Sequence, residues 1–346
     1  MERKMATIRN IDSIRPIIGA DNIEVAKVGG WNVVVKRGDC AINQHVIFCE
    51  IDSWIPNTLA PFLTKAGHQP RLFEDVEGQR LRTVKLRGQI SQGLILPVSE
   101  LIEKYGINLV NVELGDDVSE ILGIKKWEMP LAAHLQGQAK GTFPGFLVKT
   151  DQERIQNLFH ELEFVWKNGD ESWEVTEKLD GSSMTVYYLD GEVGVCSRNQ
   201  ELKIDDNNTT FVSVAKRDNL FEKLHSYGGN IALQGELVGP GIQGNRYNFK
   251  EHQFFVFDVY DIDSHSYVSP TLRQKLVERL DLQHVYVISS NIKFNSNTTV
   301  ESILDSVSSM DSYYNPDIPL EGVVFKCQDK QVSFKVISNT FLLKEK

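Results

Sequence analysis

Cysteine is scarce. The 346 residues hold four, Cys40, Cys49, Cys196 and Cys327, with no C-x-x-C pair among them. That excludes a disulfide scaffold and a zinc knuckle, and fits a reducing compartment. The sequons at Asn207, Asn208 and Asn297 are accordingly expected to carry no glycan. Long apolar runs are missing too: nothing approaches the ~18 consecutive apolar residues of a membrane span. The opening Met1-Glu2-Arg3-Lys4-Met5 leads into mixed sequence without an apolar signal core. The expectation is a monomer of the cytoplasm, or of the nucleus in a eukaryote, with no membrane partner. Internal repeats and low-complexity tracts are also absent. What remains is an ordinary globular composition, 41% hydrophobic and 24% charged, long enough for two domains of roughly 100–200 residues each.

Positive charge is in short supply, with 37 Lys+Arg against 47 Asp+Glu and a net charge of −10. The deficit is uneven. Residues 1–150 carry 18 basic against 17 acidic side chains, whereas residues 151–346 carry 19 against 30. So acidic a C-terminal part excludes general electrostatic adhesion to nucleic acid. It leaves room for a metal site built from carboxylates, and any polyanion must bind through local basic patches. One such patch is Arg80, Arg82, Lys85 and Arg87, set around Leu81, Val84 and Leu86 in an expected strand Leu81–Arg87. It reads equally as a solvated barrel edge or as a strip contacting a nucleic-acid backbone.

The first ~125 residues are short β-rich pieces punctuated by Gly and Pro, such as Ile23–Val28, a Gly29-Gly30 turn, Trp31–Lys36 and His45–Ile51; this predicts a small barrel or sandwich. Residues 131–146, small, polar and Gly-rich, read as a linker between a domain at 1–130 and another at 147–346. Beyond it, Thr150 and Glu153 form a capping-box pattern before Ile155, Leu158, Phe159 and Leu162 at helical spacing. A hairpin is expected over Met184–Cys196, turning at Asp190-Gly191, and a buried strand over Phe254–Tyr260. Ser269-Pro270 should open a helix carrying Leu272, Leu276, Val277 and Leu280. Strands Gly322–Cys327 and Val332–Ile337 follow. The fold class is α+β.

Two motifs compete for attention. Gly239-Pro240-Gly241-Ile242-Gln243-Gly244 matches the dinucleotide fingerprint G-x-G-x-x-G, but that fingerprint requires a helix opening on it. The continuation Asn245–Glu251 has no helical apolar period, so the match is a turn. Glu177-Lys178-Leu179-Asp180-Gly181 is more informative. K-x-D-G alone arises by chance in about one such chain in ten. Here it is followed in order by Ser197-Arg198-Asn199, Gly235-Glu236-Leu237, Phe255–Tyr260, Glu321-Gly322-Val323-Val324-Phe325-Lys326 and Phe334-Lys335.

That ordered set resembles the covalent nucleotidyltransferase superfamily of ATP-dependent DNA and RNA ligases and GTP-dependent capping enzymes. The resemblance implies that Lys178 attacks a nucleotide α-phosphate to form lysyl-NMP. It further implies that Glu177, Arg198 and Glu236 help bind the nucleotide, that Phe257 stacks on the purine, and that Lys326, Lys335 and Arg154 contact phosphates. Phe257 taken alone reads as a core aromatic, and Arg154 equally as a helix-surface residue. The chemistry asks for such a set. A lysine of pKa ~10.4 is protonated at neutral pH and cannot attack phosphorus. Neighbouring carboxylates tighten its hold on the proton. A divalent cation, Mg²⁺ or Mn²⁺ held by Asp180, Glu236 and Glu321 partly through water, would relieve that hold.

Within the superfamily, only eleven residues follow Lys335, too few for a C-terminal OB domain. The candidate barrel comes first instead, as in RNA ligases of family five. The implied architecture is an N-terminal OB-like β-barrel followed by an antiparallel-sheet nucleotidyltransferase (ATP-grasp-like ligase) domain. Gly235–Asn245 and Lys149-Thr150-Asp151 through Asn157 also resemble phage-type nick-sealing RNA ligases, although these often show K-x-K where this chain has Ser333-Phe334-Lys335. The expected function is an ATP-dependent RNA ligase sealing 3′-OH/5′-phosphate nicks in an RNA or RNA/DNA duplex. A DNA ligase, a capping guanylyltransferase and a catalytically silent nucleic-acid-binding protein are the alternatives.

Overall fold

The alternating segments of the N-terminal part become strands for the reason their pattern gives. In β4 (Trp31–Lys36), Trp31 and Val33 are buried while Asn32 and Val34 are only partly so, the period-two rhythm of a sheet with one face inward. The computed structural model describes residues 3–99, 102, 113–128, 137–168, 170–205 and 209–344. The sequons at Asn207 and Asn208, and residues 131–136 of the expected linker, lie outside these. One antiparallel sheet joins β1 (Ala6–Asn10), β5 (His45–Cys49) and β11 (Leu94–Pro97); another joins β2 (Ser13–Ile17), β3 (Ala20–Val28) and β4. A third contains β6 (Ser53–Pro56), β7 (Arg71–Phe73), β8 (Val76–Arg80) and β12 (Lys125–Lys126), and β9 (Val84–Leu86) with β10 (Gln89–Ser91) forms a two-stranded ribbon. Ile8, Ile47, Ile55, Leu96, Val118 and Ile124 belong to the core of this unit. The expected strand Leu81–Arg87 is thus broken: Leu81 is buried and exchanges backbone hydrogen bonds with Ser53 and Asp52, Thr83 is buried, and the ribbon strand proper is Val84–Leu86.

Residues 155–162 pack with this N-terminal unit, although sequence patterning assigned them to the second domain. Gly30 donates its N–H to the Gln156 carbonyl at 3.0 Å. A Cβ at Gly30 would stand 2.6 Å from Gln156 Cα, so the close approach demands glycine. Trp31 Nε1 donates to Asn157 Oδ1 at 2.7 Å. The Thr150–Glu153 capping box is not formed. Thr150 Oγ1 instead pairs with Ser183 Oγ at 2.8 Å, and a 3-10 turn at Ile155–Leu158 precedes the helix Phe159–Asn168.

The second unit is built on two antiparallel sheets. The larger runs in the order β13 (Ala139–Thr142), β17 (Gln200–Leu202), β16 (Glu192–Cys196), β15 (Ser182–Leu189), β18 (Ile231–Val238), β19 (Gln253–Asp261), β20 (Ser266–Tyr267). Its first strand comes from residues read as linker: Ala139–Thr142 pair with β17, while Phe143, Phe146 and Leu147 pack on Tyr187 and Tyr260. The smaller sheet runs β21 (Val287–Ile292), β14 (Trp173–Lys178), β22 (Gly322–Cys327), β23 (Ser333–Ile337). The expected hairpin, with Asp190 and Gly191 both at positive φ, and the strands around Phe254–Tyr260, Gly322–Cys327 and Val332–Ile337 are all present. Helices Thr210–Arg217 and Leu220–Tyr227 cover the outer face of the large sheet through Val212, Ala215, Leu220 and Leu224.

The helix Pro270–Arg279 forms where Ser269-Pro270 placed it, but its buried face differs from the apolar pattern. Leu272 is 58% exposed, and Arg273, at 0%, points inward beside Val277. Arg273 pairs with the equally buried Glu174 of β14, lies 3.5 Å from Asp258 of β19, and donates from Nε to His284 Nε2 at 3.0 Å. A buried guanidinium is stable only when so surrounded. Accepting from Arg273 at Nε2 leaves His284 neutral, and its Nδ1–H then donates to the Val285 carbonyl at 2.6 Å. Burial first, and then the adjacent Arg273, push its pKa from 6.5 down to about 4. The unfolded chain therefore takes up a proton at His284 that the native state refuses, so stability is complete above pH 6.5 and declines as pH falls toward 4. The contribution at stake is about 3 kcal/mol. Replacing His284 with glutamine, which can still accept from Arg273, should flatten this acid limb in melting temperatures recorded from pH 7.5 to 4. An unchanged slope would show that another group governs it.

Candidate active site

Lys178 ends β14, opposite Gly322 of β22. Its neighbour Gly181 leads into β15 next to β18; a Cβ there would sit 2.5 Å from the Leu237 carbonyl oxygen. The glycine of K-x-D-G is therefore dictated by close strand approach. These pairings bring together residues far apart in sequence. Lys178 Nζ donates to Glu321 Oε1 at 2.6 Å, and the Gly181 N–H donates to Glu236 Oε1 at 3.1 Å. Burial works against the Lys178 ammonium, but Glu321, Glu236 and Asp180 outweigh it and hold its pKa above the ordinary lysine value. Burial raises Glu236 to about 8, reinforced by Glu321 and Asp180 and opposed by Lys178. Glu321 is raised by burial in the same way. As it stands, the amine is a cation locked to a carboxylate.

Two partners of Asp180 were not anticipated. Tyr247 Oη accepts its backbone N–H at 2.7 Å, and Arg246 Nη1 donates to its carboxylate at 3.3 Å. Arg246 is braced by the Pro319 carbonyl at 2.6 Å and lies over the Phe341 ring. Both residues follow, after Asn245, on the segment Gly239–Gly244, which is a turn carrying a short 3-10 piece at Gln243–Asn245. Its glycines mark a loop that leans on the K-x-D-G corner: Gln243 Nε2 reaches the Gly181 carbonyl at 3.5 Å. The only sequence cue to Arg246 and Tyr247 was their position after the ligase-like run Gly235–Asn245.

Glu177, expected at the nucleotide, has both carboxylate oxygens engaged, by Ser312 Oγ at 2.5 Å and the Tyr313 N–H at 2.9 Å. It anchors the 312–314 turn beside β14. Phe257 lies at a bulge in β19: Val256 faces Gly235 and Asp258 faces Gln234, leaving Phe257 without a partner residue. A bulge re-aims its side chain, and Phe257 is only half-buried while Phe254, Phe255 and Val256 are core. Lys326 Nζ donates to the Phe257 carbonyl and pairs with Asp258, each at 2.6 Å. Burial lowers its pKa to about 8 against the pull of Asp258. A cleft of about 490 Å³ opens on this side, lined in part by Gln152, Asp258, Arg273, Lys326 and Ser333. Lys335 pairs across from Val324 and donates its N–H to the Glu153 carbonyl at 2.8 Å. Arg154 forms a parallel bridge with Lys335 and is buried, not a helix-surface residue. Arg198 lies at the surface in a two-pronged bond to Asp151, at 2.8 and 3.0 Å.

The donors around Lys178 are all oxygens, which suits a hard dication such as Mg²⁺ or Mn²⁺. Glu321 Oε2 is buried without a hydrogen-bond partner among the described residues, and such an ion or its water would satisfy it. Asp180, Glu236 and Glu321 surround the lysine without forming a ready-made ligand set: among the described residues, no three His, Cys, Asp or Glu side chains are placed to hold one ion.

Fold and site define a class: a chain with an OB fold at its N-terminus and a mixed α/β ligase domain after it. An OB-fold domain model matches residues 5–98 and the RNA ligase model matches residues 171–337. The Naegleria gruberi RNA ligase is 42% identical. Its structure as a lysine variant with ATP and Mn superposes with a TM-score of 0.90 over 99% of both chains. A glutamate variant with AMP and Mn, and the enzyme with PPi, each give 0.89, again over 99% of both chains. No curated protein matches the chain. The chain belongs to the RNA ligase family. Among its described residues no helix is long and apolar enough to cross a membrane.

Proposed function

We propose that this RNA ligase uses ATP to seal 3′-OH/5′-phosphate nicks in duplexes whose 3′-OH strand is RNA, with Lys178 as its nucleophile. The observation that carries the reading is the Lys178–Glu321 contact inside a ring of carboxylates. The relatives lend support. In the Naegleria gruberi enzyme, the lysine and aspartate replaced in solved variants are two residues apart, and the two replaced glutamates are 85 apart. Lys178 and Asp180, and Glu236 and Glu321, keep those separations here.

Each step exchanges one bond at phosphorus. The Lys178 lone pair forms a P–N bond to the α-phosphate of ATP as the bond to the β-phosphate breaks and pyrophosphate leaves. A 5′-phosphate oxygen then takes the AMP from lysine, breaking the P–N bond. Finally the 3′-OH attacks the 5′-phosphorus and AMP departs. Asp180, Glu236 and Glu321 would hold the dication, whose charge counters the carboxylates that now keep Lys178 protonated. Arg246 and Tyr247 keep Asp180 oriented for that role. Phe257, freed by the bulge, offers its ring to the purine. Lys326, attached to the same residue's carbonyl, stands where negative charge gathers at the α-phosphate, with Lys335, Arg154 and Arg198 completing the cationic side.

The test is sealing of four nicked duplexes, RNA or DNA on each side of the nick, with ATP and with GTP, in Mg²⁺ or Mn²⁺. ATP-dependent joining wherever the 3′-OH strand is RNA is expected. Joining confined to a DNA 3′-OH, or covalent labelling by GTP in place of ATP, would replace this reading with a DNA ligase or a capping enzyme.

A further inference from the structure

From Gly78 to Ser99 the sequence holds four cations, Arg80, Arg82, Lys85 and Arg87, and no Asp or Glu, in a chain of net charge −10. The structure separates the four. Arg80 is committed: it pairs with Asp52 at 2.6 Å and lies 4.0 Å from the Trp127 ring. Arg82, Lys85 and Arg87 have no ion-pair partner among the described residues, although many cations of the chain do, from Arg3 and Lys125 to Arg217 and Lys330.

Lys85 sits in the middle of β9 and Arg87 at the tip of the β9–β10 ribbon, both exposed. The ribbon turns through two residues, Arg87 at φ 47° and Gly88 at φ 83°, with Leu86 paired to Gln89. Such a turn favours Asn-Gly or Gly-Gly, and a bulky side chain in its first position is disfavoured. A guanidinium kept at the apex against that preference points to use of the side chain rather than of the turn. Val84 and Leu86 are 44% and 43% exposed, so the ribbon also presents apolar surface to solvent.

We infer that the β9–β10 ribbon is a contact element for the phosphodiester backbone of duplex RNA, with Lys85 and Arg87 on phosphates. Double-stranded RNA is gripped by shape, through phosphates and 2′-hydroxyls along its wide, shallow minor groove, and an exposed cationic ribbon offers what that surface lacks. The proposal takes its partner from the RNA ligase reading and adds the element and the residues that hold it.

The experiment measures binding of the full chain to a nicked RNA duplex across salt concentrations, beside lysyl-AMP formation and sealing. Lys85→Ala/Arg87→Ala should bind about tenfold more weakly and lower the slope of log affinity against log salt by about 2, one per phosphate contact. Lysyl-AMP formation should be unchanged. Arg87→Asn, which suits the turn better, should hold or raise the melting temperature and still lose affinity, a combination that a purely structural arginine would not give. Wild-type affinity and slope in these variants would overturn the inference, as would equal loss of lysyl-AMP formation. Failure of the unaltered chain to bind or seal RNA would instead tell against the function proposed above.

Discussion

Replacing Lys178 with alanine should abolish lysyl-AMP formation outright while leaving the chain folded. The side chain is 28% exposed and hydrogen-bonds Glu321, so truncation removes little apolar packing. Glu321 and Glu236, both already raised in pKa by burial, can take up protons once the cation is gone. The melting temperature should therefore fall by no more than a few degrees. Lys178→Arg is the sharper probe. It restores the positive charge opposite Glu321 but presents a guanidinium that does not deprotonate, so it should be stable and equally unable to accept AMP. The check is transfer of label from α-labelled ATP to protein, with circular dichroism on the same samples. Label retained by either variant would show that a different residue is the nucleophile. Both proteins should still seal a strand supplied with a pre-adenylylated 5′ end, because that substrate enters after the lysine's step.

The second large effect is expected at the buried Arg273. Arg273→Met should destabilise the fold by about 3–5 kcal/mol, the usual consequence of stripping one partner from a buried ionic group. At this chain size that corresponds to a melting temperature lower by roughly 4–7 °C. Glu174 would be left at 0% exposure with its principal cation gone, and Asp258 would answer to Lys326 alone. Combining it with Glu174→Leu should recover much of the loss, since apolar replacements of a buried pair are often neutral. Calorimetry or thermal denaturation of the single and double variants decides the matter. A single variant as stable as the parent chain would mean that the network contributes nothing to folding.

How much of this was legible beforehand depends on what carried the information. The hairpin at Asp190-Gly191, the helix opened by Ser269-Pro270 and the C-terminal strand pair follow from turn chemistry and local periodicity, which are properties of adjacent residues. The K-x-D-G corner was legible because the motif and its companions occur in a fixed order, and order survives in a linear text. Where local rules misled, a distant partner had intervened. Ala139–Thr142 is polar enough to pass for a linker, yet it finds an open sheet edge in β17. Thr150 has the composition of a helix cap and gives its hydroxyl to Ser183. Leu272 fits a helical apolar stripe and stays in solvent, because the side of the helix that faces inward meets Glu174, Asp258 and His284 and so takes Arg273. Phe257 looked like one aromatic in a buried run; only the shifted register of β18 against β19 gives it a different aim. Arg246 and Tyr247 had no local signature, since their importance lies in reaching Asp180, 66 and 67 residues away.

By itself the amino-acid sequence determined which residue types are available for chemistry and in what succession: one lysine beside carboxylates, a later run ending in Glu321 and Lys326, and a basic stretch free of acids in an otherwise acidic chain. Composition and short-range pattern suffice for that, because propensity and turn geometry act within a few residues. Strand register and burial decided the rest. They set Lys178 against Glu321, raised Glu236 to about 8, tied up Glu177 and Arg80, and left Lys85 and Arg87 exposed at the ribbon. Desolvation and Coulomb interactions depend on distance in space, and distance in space exists only once the sheets have assembled.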